Sequence, residues 1–580
     1  MGASGADFAS EGGQCNTPPM DSSGSVAPSP CRSPIRRTAL FGAVLLATLA
    51  SCSSSSTSPT SSSRPASGSS TSATDCHRPP ARTIRATPVA GTPTDWTVTS
   101  FDKTAIRAHW FPHSVFAPGT GAGPHPTVLM GPGWSLSGDT NTNGQGILGA
   151  VPIRSLLDAG YNVLTWDPRG FGKSGGKAEV DSALYEARDV STLIGWVATK
   201  PGVQLDAPGD PRMGMVGGSY GGGIQIVTAA TDCRVDAIVP TIAWHSLTTS
   251  LDKSGTIKSG WSGILSNLSG GDHVDPVVSA SAASGSTTGT ITPAQAAWFA
   301  ARGPAHLVHR ITVPTLIVQG TVDTLFTLQE GVDNYKVLQA AGTTSAMQWF
   351  CGGHGVCLTD PGDTAAVEQA TLAWLKRYVQ RDTSVDTGPG FSFVDQNGTM
   401  YSAPSYPPTQ GLPFAGNGSG TLALVSTGGS GPLTATPAGQ QLAALVAPIT
   451  PAPATNAVDV PVVFPSSGVI VGAPRVLLAY KGTTPAHDRP TRVFAQLVDT
   501  GTGLVLGNQV TPIAVTLDGH THTVSIPLEI VAYTATASSH VQLQLVATTV
   551  AYAPPQLGGS ITFSTIHVTL PVAASLTPKS

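Results

Sequence analysis

Three residues of this chain have the types, and stand in the order, that nucleophilic acyl transfer requires: Ser219, Asp323 and His354. A serine hydroxyl is a weak nucleophile at neutral pH. It needs a base to take its proton, and the base needs a partner that fixes its tautomer. Ser219 lies in Gly217-Gly218-Ser219-Tyr220-Gly221, a G-x-S-x-G stretch in which small neighbours let the backbone turn sharply from a strand into a helix. Asp323 lies in Gly320-Thr321-Val322-Asp323-Thr324, and His354 is flanked by glycines in Cys351-Gly352-Gly353-His354-Gly355-Val356-Cys357. Serine, then acid, then histidine is one of the chain orders in which such a triad is built.

The transition state of such a reaction carries an oxyanion, which needs two N–H donors. The backbone N–H of Tyr220, next after the serine, is one expected donor. The loop Gly131-Pro132-Gly133-Trp134-Ser135 is expected to supply the other, from Trp134 first and Gly133 second. Trp244, His245, Trp261 and Phe326 are candidates for the substrate pocket, with packing in the core or against the cap as the alternative for each. Asp167-Pro168-Arg169-Gly170 reads as a structural loop in which Arg169 pairs with carboxylates or carbonyls, and Asp360 and Asp363 read as caps for the helix that follows.

These residues must be positioned by strands and helices, and the chain supplies them. Thr127 to Met130, Tyr161 to Trp166, Met213 to Val216, Val235 to Val239, Val313 to Val318 and Gln348 to Phe350 read as short buried strands. Tyr185 to Ala198, Ile224 to Ala230 and Thr364 to Gln380 read as helices, the first with Val190, Leu193, Ile194 and Val197 on one face. The expected fold is α/β, a mostly parallel sheet covered on both faces, with all three reactive residues just past strand C-termini. Residues 244–309 break this rhythm and read as a small inserted cap, with one helical patch at Pro293 to Ala301. After Asp382 helical periodicity fades. Short runs such as Thr421 to Val425, Val476 to Tyr480, Thr491 to Val498, Ile513 to Leu517, His522 to Ile530 and Val541 to Val546 read as strands, with Gly416 to Gly420 and Ser426 to Gly431 as loops. That pattern suggests a β-sandwich or jelly roll. The expected division is a leader and signal over 1–52, a Ser-rich tether over 53–75, a hydrolase domain over 76–382 and a β domain over 383–580.

Composition narrows the class. Lys plus Arg number 30 and Asp plus Glu 34, so there is no basic excess for a nucleic-acid partner, and only 11% of residues are charged. Arg36-Arg37 precedes a short apolar run, Ala39 to Ala50, too short to span a bilayer comfortably and suited to an export signal. The arginine pair loosely resembles a twin-arginine signal, and Met20 is a second possible start. Leu49-Ala50-Ser51-Cys52 resembles a bacterial lipobox, which implies lipidation of Cys52, membrane attachment and a location outside the cell membrane. Cys76, Cys233, Cys351 and Cys357 then remain, with three possible pairings. Cys351 with Cys357 would close a loop worth about 2 kcal/mol and leave Cys76 with Cys233. The C-x5-C spacing is poor for zinc, and neither metal nor cofactor is expected.

The Gly-Gly-Ser-Tyr-Gly-Gly run at Ser219, the Asp-Pro-Arg-Gly-Phe-Gly-Lys-Ser run from Asp167, the Asp323 and His354 loops and the β-rich C-terminal part together resemble the Xaa-Pro dipeptidyl-peptidase/cocaine-esterase-like hydrolases, over about residues 90–575. The resemblance implies an acyl-enzyme mechanism with Ser219 as nucleophile, Asp323 as acid, His354 as base and Tyr220 N–H at the oxyanion. In the cocaine-esterase type a tyrosine hydroxyl completes the oxyanion hole; Trp134 occupies the matching loop here, so a backbone N–H must serve or the hole is built differently. The cap is also shorter than the family's helical cap. The leading expectation is an ester or acyl hydrolase acting on a small molecule or peptide. A dipeptidyl peptidase is the alternative, for which Asp252, Asp272 and Asp275 are the cap's available acids, and a non-catalytic binding lipoprotein is the third. The oligomeric state is not specified.

Overall fold

The computed structural model describes residues 76–77, 79, 83–117, 123–144, 151–434 and 441–579. The leader, the lipobox with Cys52 and the Ser-rich tether lie outside the described residues.

Alternation along the central strands decides the layering. In Thr127–Met130, Leu129 faces one side and Val128 and Met130 the other; Met215 and Val216, and Ile317 with Leu316 and Val318, divide in the same way. A strand apolar on both sides must be covered twice. Helices Glu186–Val197, Tyr220–Thr231 and Leu328–Ala340 cover one face, and Ile153–Asp158 and Ala366–Tyr378 the other. Each buried Leu, Ile or Val side chain contributes about 1.5–3 kcal/mol of transfer free energy.

Among the described residues the resulting sheet has twelve strands. Asn162–Trp166, Thr127–Met130, Met213–Gly218, Ala237–Thr241, Thr315–Gly320, Ser345–Phe350 and Phe391–Val394 pair in parallel in that spatial order. Antiparallel strands extend both edges: Ala105–Phe111, Asp95–Thr99 and Ala86–Pro88 on one side, Met400–Ala403 and Thr577–Lys579 on the other. The sheet therefore runs past residue 382, where periodicity placed the end of the domain. The helical signal stops there, but Phe391 and Phe393 still pack on Trp349.

The remaining strands form an accessory β domain. A four-stranded sheet (Phe414–Ala423, Ser560–Leu570, Arg475–Thr483, Asp518–Pro527) and a five-stranded sheet built on Ala457–Pro461, Val541–Val546 and Arg492–Asp499 share one core containing Val460, Val476, Leu478, Leu497, Leu543 and Ile566. Gly416 to Gly420, expected as a loop, lies inside the Phe414–Ala423 strand. A Cβ on Gly416, Gly418 or Gly420 would come within 2.4–2.7 Å of Pro461, Val460 or Val458. The glycines thus recur with strand period because their face is pressed against the neighbouring strand.

The 244–309 insertion is more helical than its sequence suggests. Beyond Pro293–Ala300 it contains Leu247–Leu251, Ser259–Ser269 and Pro276–Thr288. Pro276–Thr288 (PVVSASAASGSTT) carries no apolar stripe, so periodicity is silent; Asp275 instead caps its N-terminus by accepting from Val277 N–H.

Candidate active site

Ser219 follows the Met213–Gly218 strand and directly precedes the Tyr220–Thr231 helix, with φ 58° and ψ −118°. A non-glycine residue held there costs about 1–3 kcal/mol and persists only where its surroundings enforce it. The enforcement comes from close backbone packing. A Cβ on Gly221 would lie 2.0 Å from the Gly131 carbonyl oxygen, and one on Gly222 2.6 Å from the Thr241 oxygen. The glycines after Ser219, expected as part of a turn, therefore belong to the helix itself.

Asp323 lies in the loop after Thr315–Gly320 and is fully buried. Its Oδ1 accepts hydrogen bonds from the backbone N–H of Leu325 (3.0 Å) and Phe326 (2.8 Å), and its Oδ2 is 2.7 Å from His354 Nδ1. His354 Nε2 is 2.7 Å from Ser219 Oγ. An acceptor at Nδ1 fixes the imidazole proton there and leaves the Nε2 lone pair for the serine O–H. The acid and histidine loops interleave at glycines: a Cβ on Gly320 would meet Gly352 O at 2.1 Å, and one on Gly355 would meet Val322 O at 1.8 Å. The rings of Trp261 and Phe326 stand edge-on to the imidazole, with centroids at 5.7 and 5.2 Å. Disulfides join Cys351 to Cys357, around His354, and Cys76 to Cys233.

Tyr220 is the first residue of its helix, so its N–H has no intrahelical acceptor and is available at the serine. The Trp134 indole N–H is engaged elsewhere, donating to Leu265 O of the cap at 3.1 Å. Its ring packs edge-on against Phe171 and Tyr220. In that loop a backbone N–H, and not the side chain, is the group left to serve an oxyanion.

An apolar cavity opens beside Ser219. Trp134, Trp244, Phe326, Leu251, Leu265 and Phe299 give it an apolar wall. Trp244 and Phe326 thus lie where a substrate would, as expected. Trp261 does not line the cavity; it buttresses the site by donating from Nε1 to Thr324 Oγ1 at 3.1 Å. His245 also lies off the cavity, its Nδ1 2.9 Å from Asn334 Oδ1, while Glu330 accepts from the backbone N–H groups of His245 and Ser246. It anchors the cap instead of touching substrate, because the chain turns out of the sheet at that residue. Among the described lining residues Asp252 is the single charged side chain. Its buried Oδ1 has no hydrogen-bond partner, and burial raises its pKa against the opposing pull of Arg492. Asp272 and Asp275 lie off the cavity.

The Asp167 loop is structural. Asp167 accepts from Gly138 N–H (2.8 Å) and Lys173 N–H (2.7 Å) and contacts His109 Nε2 at 3.2 Å. Arg169 pairs with Asp189 through Nε and Nη2, both at 2.7 Å, and reaches Asp102. Behind the nucleophile lies a cluster that sequence inspection did not single out. The Tyr220 hydroxyl donates to Glu186 Oε1 (3.3 Å) and accepts from Asp181 N–H (3.3 Å). Burial pushes Glu186 up to about 7, although it accepts from Glu179 and Ser182 N–H, and pushes Asp181 well above the usual carboxylate range. Lys258, Asn508 and Gln509 also reach the acid and histidine loops; nothing local in the sequence marks them, since each acts across a large separation.

An open, mostly parallel sheet with a serine at the strand–helix elbow, an acid and a histidine at later strand ends and an accessory β domain is the arrangement of the α/β-hydrolase fold. Within it, residues 110–355 match the family model described as X-Pro dipeptidyl-peptidase (S15 family). Two structures of a CocE/NonD family hydrolase from Staphylococcus aureus share the fold: one with TM-score 0.61 at 11% identity, the other with TM-score 0.55 at 13%, each covering 83% of this chain and 93% of the other. A curated relative, an uncharacterized 31.7 kDa protein of Escherichia coli, is 32% identical over 90 residues; the match spans 16% of this chain and 30% of that protein.

Proposed function

We propose that the protein hydrolyses carboxylic ester or amide bonds through an acyl-enzyme, with Ser219 as nucleophile, His354 as base and Asp323 as its orienting acid. The observation that carries this reading is the continuous chain of two 2.7 Å contacts from Asp323 through His354 to Ser219. Ser219 Oγ attacks the carbonyl carbon as its proton passes to His354 Nε2. The resulting imidazolium is held by Asp323 and then protonates the departing alcohol or amine. Water repeats the sequence in reverse and frees the acid. Tyr220 N–H and a backbone N–H of the 131–135 loop stabilise the oxyanion.

Esterase action was the first expectation from sequence. The S15 match over 110–355 favours the other branch, removal of an N-terminal X-Pro dipeptide. Asp252 supports it, because a substrate with a free N-terminal ammonium needs a carboxylate in an otherwise apolar cavity, and Asp252 has a vacant acceptor. The test compares Ala-Pro-p-nitroanilide with p-nitrophenyl acetate. Ser219→Ala abolishes turnover of both, and Asp252→Asn raises KM for the dipeptide amide alone. Equal effects of Asp252→Asn on both substrates, or no cleavage of the amide, return the reading to an esterase.

Export with lipidation at Cys52 is part of the same proposal and rests on the Arg36-Arg37 pair, the apolar run and the lipobox-like Leu49-Ala50-Ser51-Cys52. Metabolic labelling with radioactive palmitate tests it: Cys52→Ser loses the label, and an unlabelled parent chain refutes lipidation.

A further inference from the structure

We infer that the accessory β domain is a working part of the active site: the turn at 506–509 holds the acid and histidine loops in register, with Asn508 and Gln509 as positioning residues. The inference rests on the roles proposed for Ser219, Asp323 and His354.

Apart from the Asp323–His354 contact, the described bonds between the two loops lie near their beginnings. Thr321 N–H donates to Phe350 O at 2.9 Å and Val322 N–H to Gly352 O at 3.3 Å. Beyond those points neither loop belongs to a strand, and buried carbonyls must find partners elsewhere. The β domain supplies them. Gln509 Nε2 donates to the backbone oxygen of Asp323 itself at 2.8 Å, and Asn508 Nδ2 donates to Val356 O, two residues past His354, at 3.0 Å. Both side chains are buried, at 6% and 4% exposure, so water does not compete for these bonds.

The turn is built to present the two amides together. Gly507 (φ 63°) and Asn508 (φ 55°) are both left-handed, a conformation that glycine and asparagine tolerate best. A Cβ on Gly507 would lie 3.0 Å from Thr321 O, so the turn sits directly on the acid loop. From the opposite side the cap contributes Lys258, whose Nζ donates to Thr324 O (3.0 Å) and Leu325 O (2.8 Å). The backbone just after Asp323 is thus gripped between the cap and the β domain, and a shift there lengthens the Asp323–His354 contact, while Asn508 and Gln509 themselves do not line the cavity.

The test measures hydrolysis of p-nitrophenyl acetate by the full chain carrying Gln509→Met, which keeps volume and removes the donor, or Asn508→Gly, which keeps the left-handed backbone and removes the amide. Misplacement on the order of 1 Å is expected to lower kcat roughly tenfold to a hundredfold with KM unchanged. Labelling of Ser219 by a fluorophosphonate slows in parallel. Circular dichroism and melting establish the folded fraction; if Gln509→Met does not fold, Asn508→Gly decides. Parental kcat per folded molecule, with only the melting temperature lowered, overturns the positioning role. Parental hydrolysis in Ser219→Ala would instead overturn the reading of the site, so the two failures are distinguishable.

Discussion

Replacing Asp323 by asparagine tests the polarity of the whole relay. Oδ1 of Asp323 accepts two backbone N–H groups, from Leu325 and Phe326. An asparagine must therefore place its oxygen there and turn its NH2 toward His354 Nδ1. Two donors then face each other, and the imidazole relieves the conflict by moving its proton to Nε2. That is the atom 2.7 Å from Ser219 Oγ that must accept a proton. The flipped amide would keep the productive tautomer but aim NH2 at two buried N–H donors. At about 1–3 kcal/mol for each unsatisfied group, the flip costs about 2–6 kcal/mol, which leaves a small productive fraction. Loss of the negative charge that stabilises the imidazolium adds to this. Together kcat for p-nitrophenyl acetate should fall about 10⁴-fold, or about 5.5 kcal/mol in barrier. The melting temperature should stay near that of the parent chain, because the accepted backbone bonds are kept. Asp323→Ala should also inactivate but lower the melting temperature, since it abandons both N–H groups. A folded Asp323→Asn enzyme that loses less than tenfold in kcat would refute the reasoning.

Ser219→Gly should be inactive yet melt higher than the parent, because glycine relieves a positive φ worth about 1–3 kcal/mol; a lower melting temperature would show that the elbow is unstrained. Reduction should destabilise the chain, by about 2 kcal/mol for the loop Cys351–Cys357 and about 5 kcal/mol for Cys76–Cys233, whose partners are 157 positions apart. Paired serine variants studied by chemical denaturation check the order, and equal losses would contradict it. Glu186 binds its proton more tightly in the folded chain, at about 7 against an ordinary 4.5, so stability should fall as pH rises between those values, by at most about 3 kcal/mol. Glu186→Gln should flatten that slope; an unchanged pH profile of melting would show that the buried acid does not titrate there.

What the sequence disclosed, and what it withheld, follows from the range of the forces involved. The strand–helix alternation and the order Ser219, Asp323, His354 were legible because each depends on local pattern and chain order. The helix Leu328–Ala340 went unread because it carries polar residues, among them Asn334 and Glu330, on its buried face to anchor the cap. The cap helix Pro276–Thr288 escapes because its small residues pack without an apolar stripe, whereas Ser259–Ser269 does carry one, at Trp261, Ile264, Leu265 and Leu268. Gly416 to Gly420 reads as a loop inside the strand Phe414–Ala423, whose end at Thr421 is legible, because its glycines answer to a neighbouring strand and not to a turn. For His245 and Trp261 the packing alternative, and not the pocket, is what the structure shows, since residue type reports apolarity and not direction. Asn508 and Gln509 look like any turn.

The Gln509–Asp323 contact spans 186 positions and the Asn508–Val356 contact 152. A ribosome works from the N-terminus. It therefore releases Ser219, Asp323 and His354 well before the turn that steadies them. The growing chain carries its reactive atoms early and acquires their alignment late, when the second half of the β domain closes. Hydrolytic power is thereby timed by synthesis, and a chain arrested near residue 400 should display the serine without the catalysis.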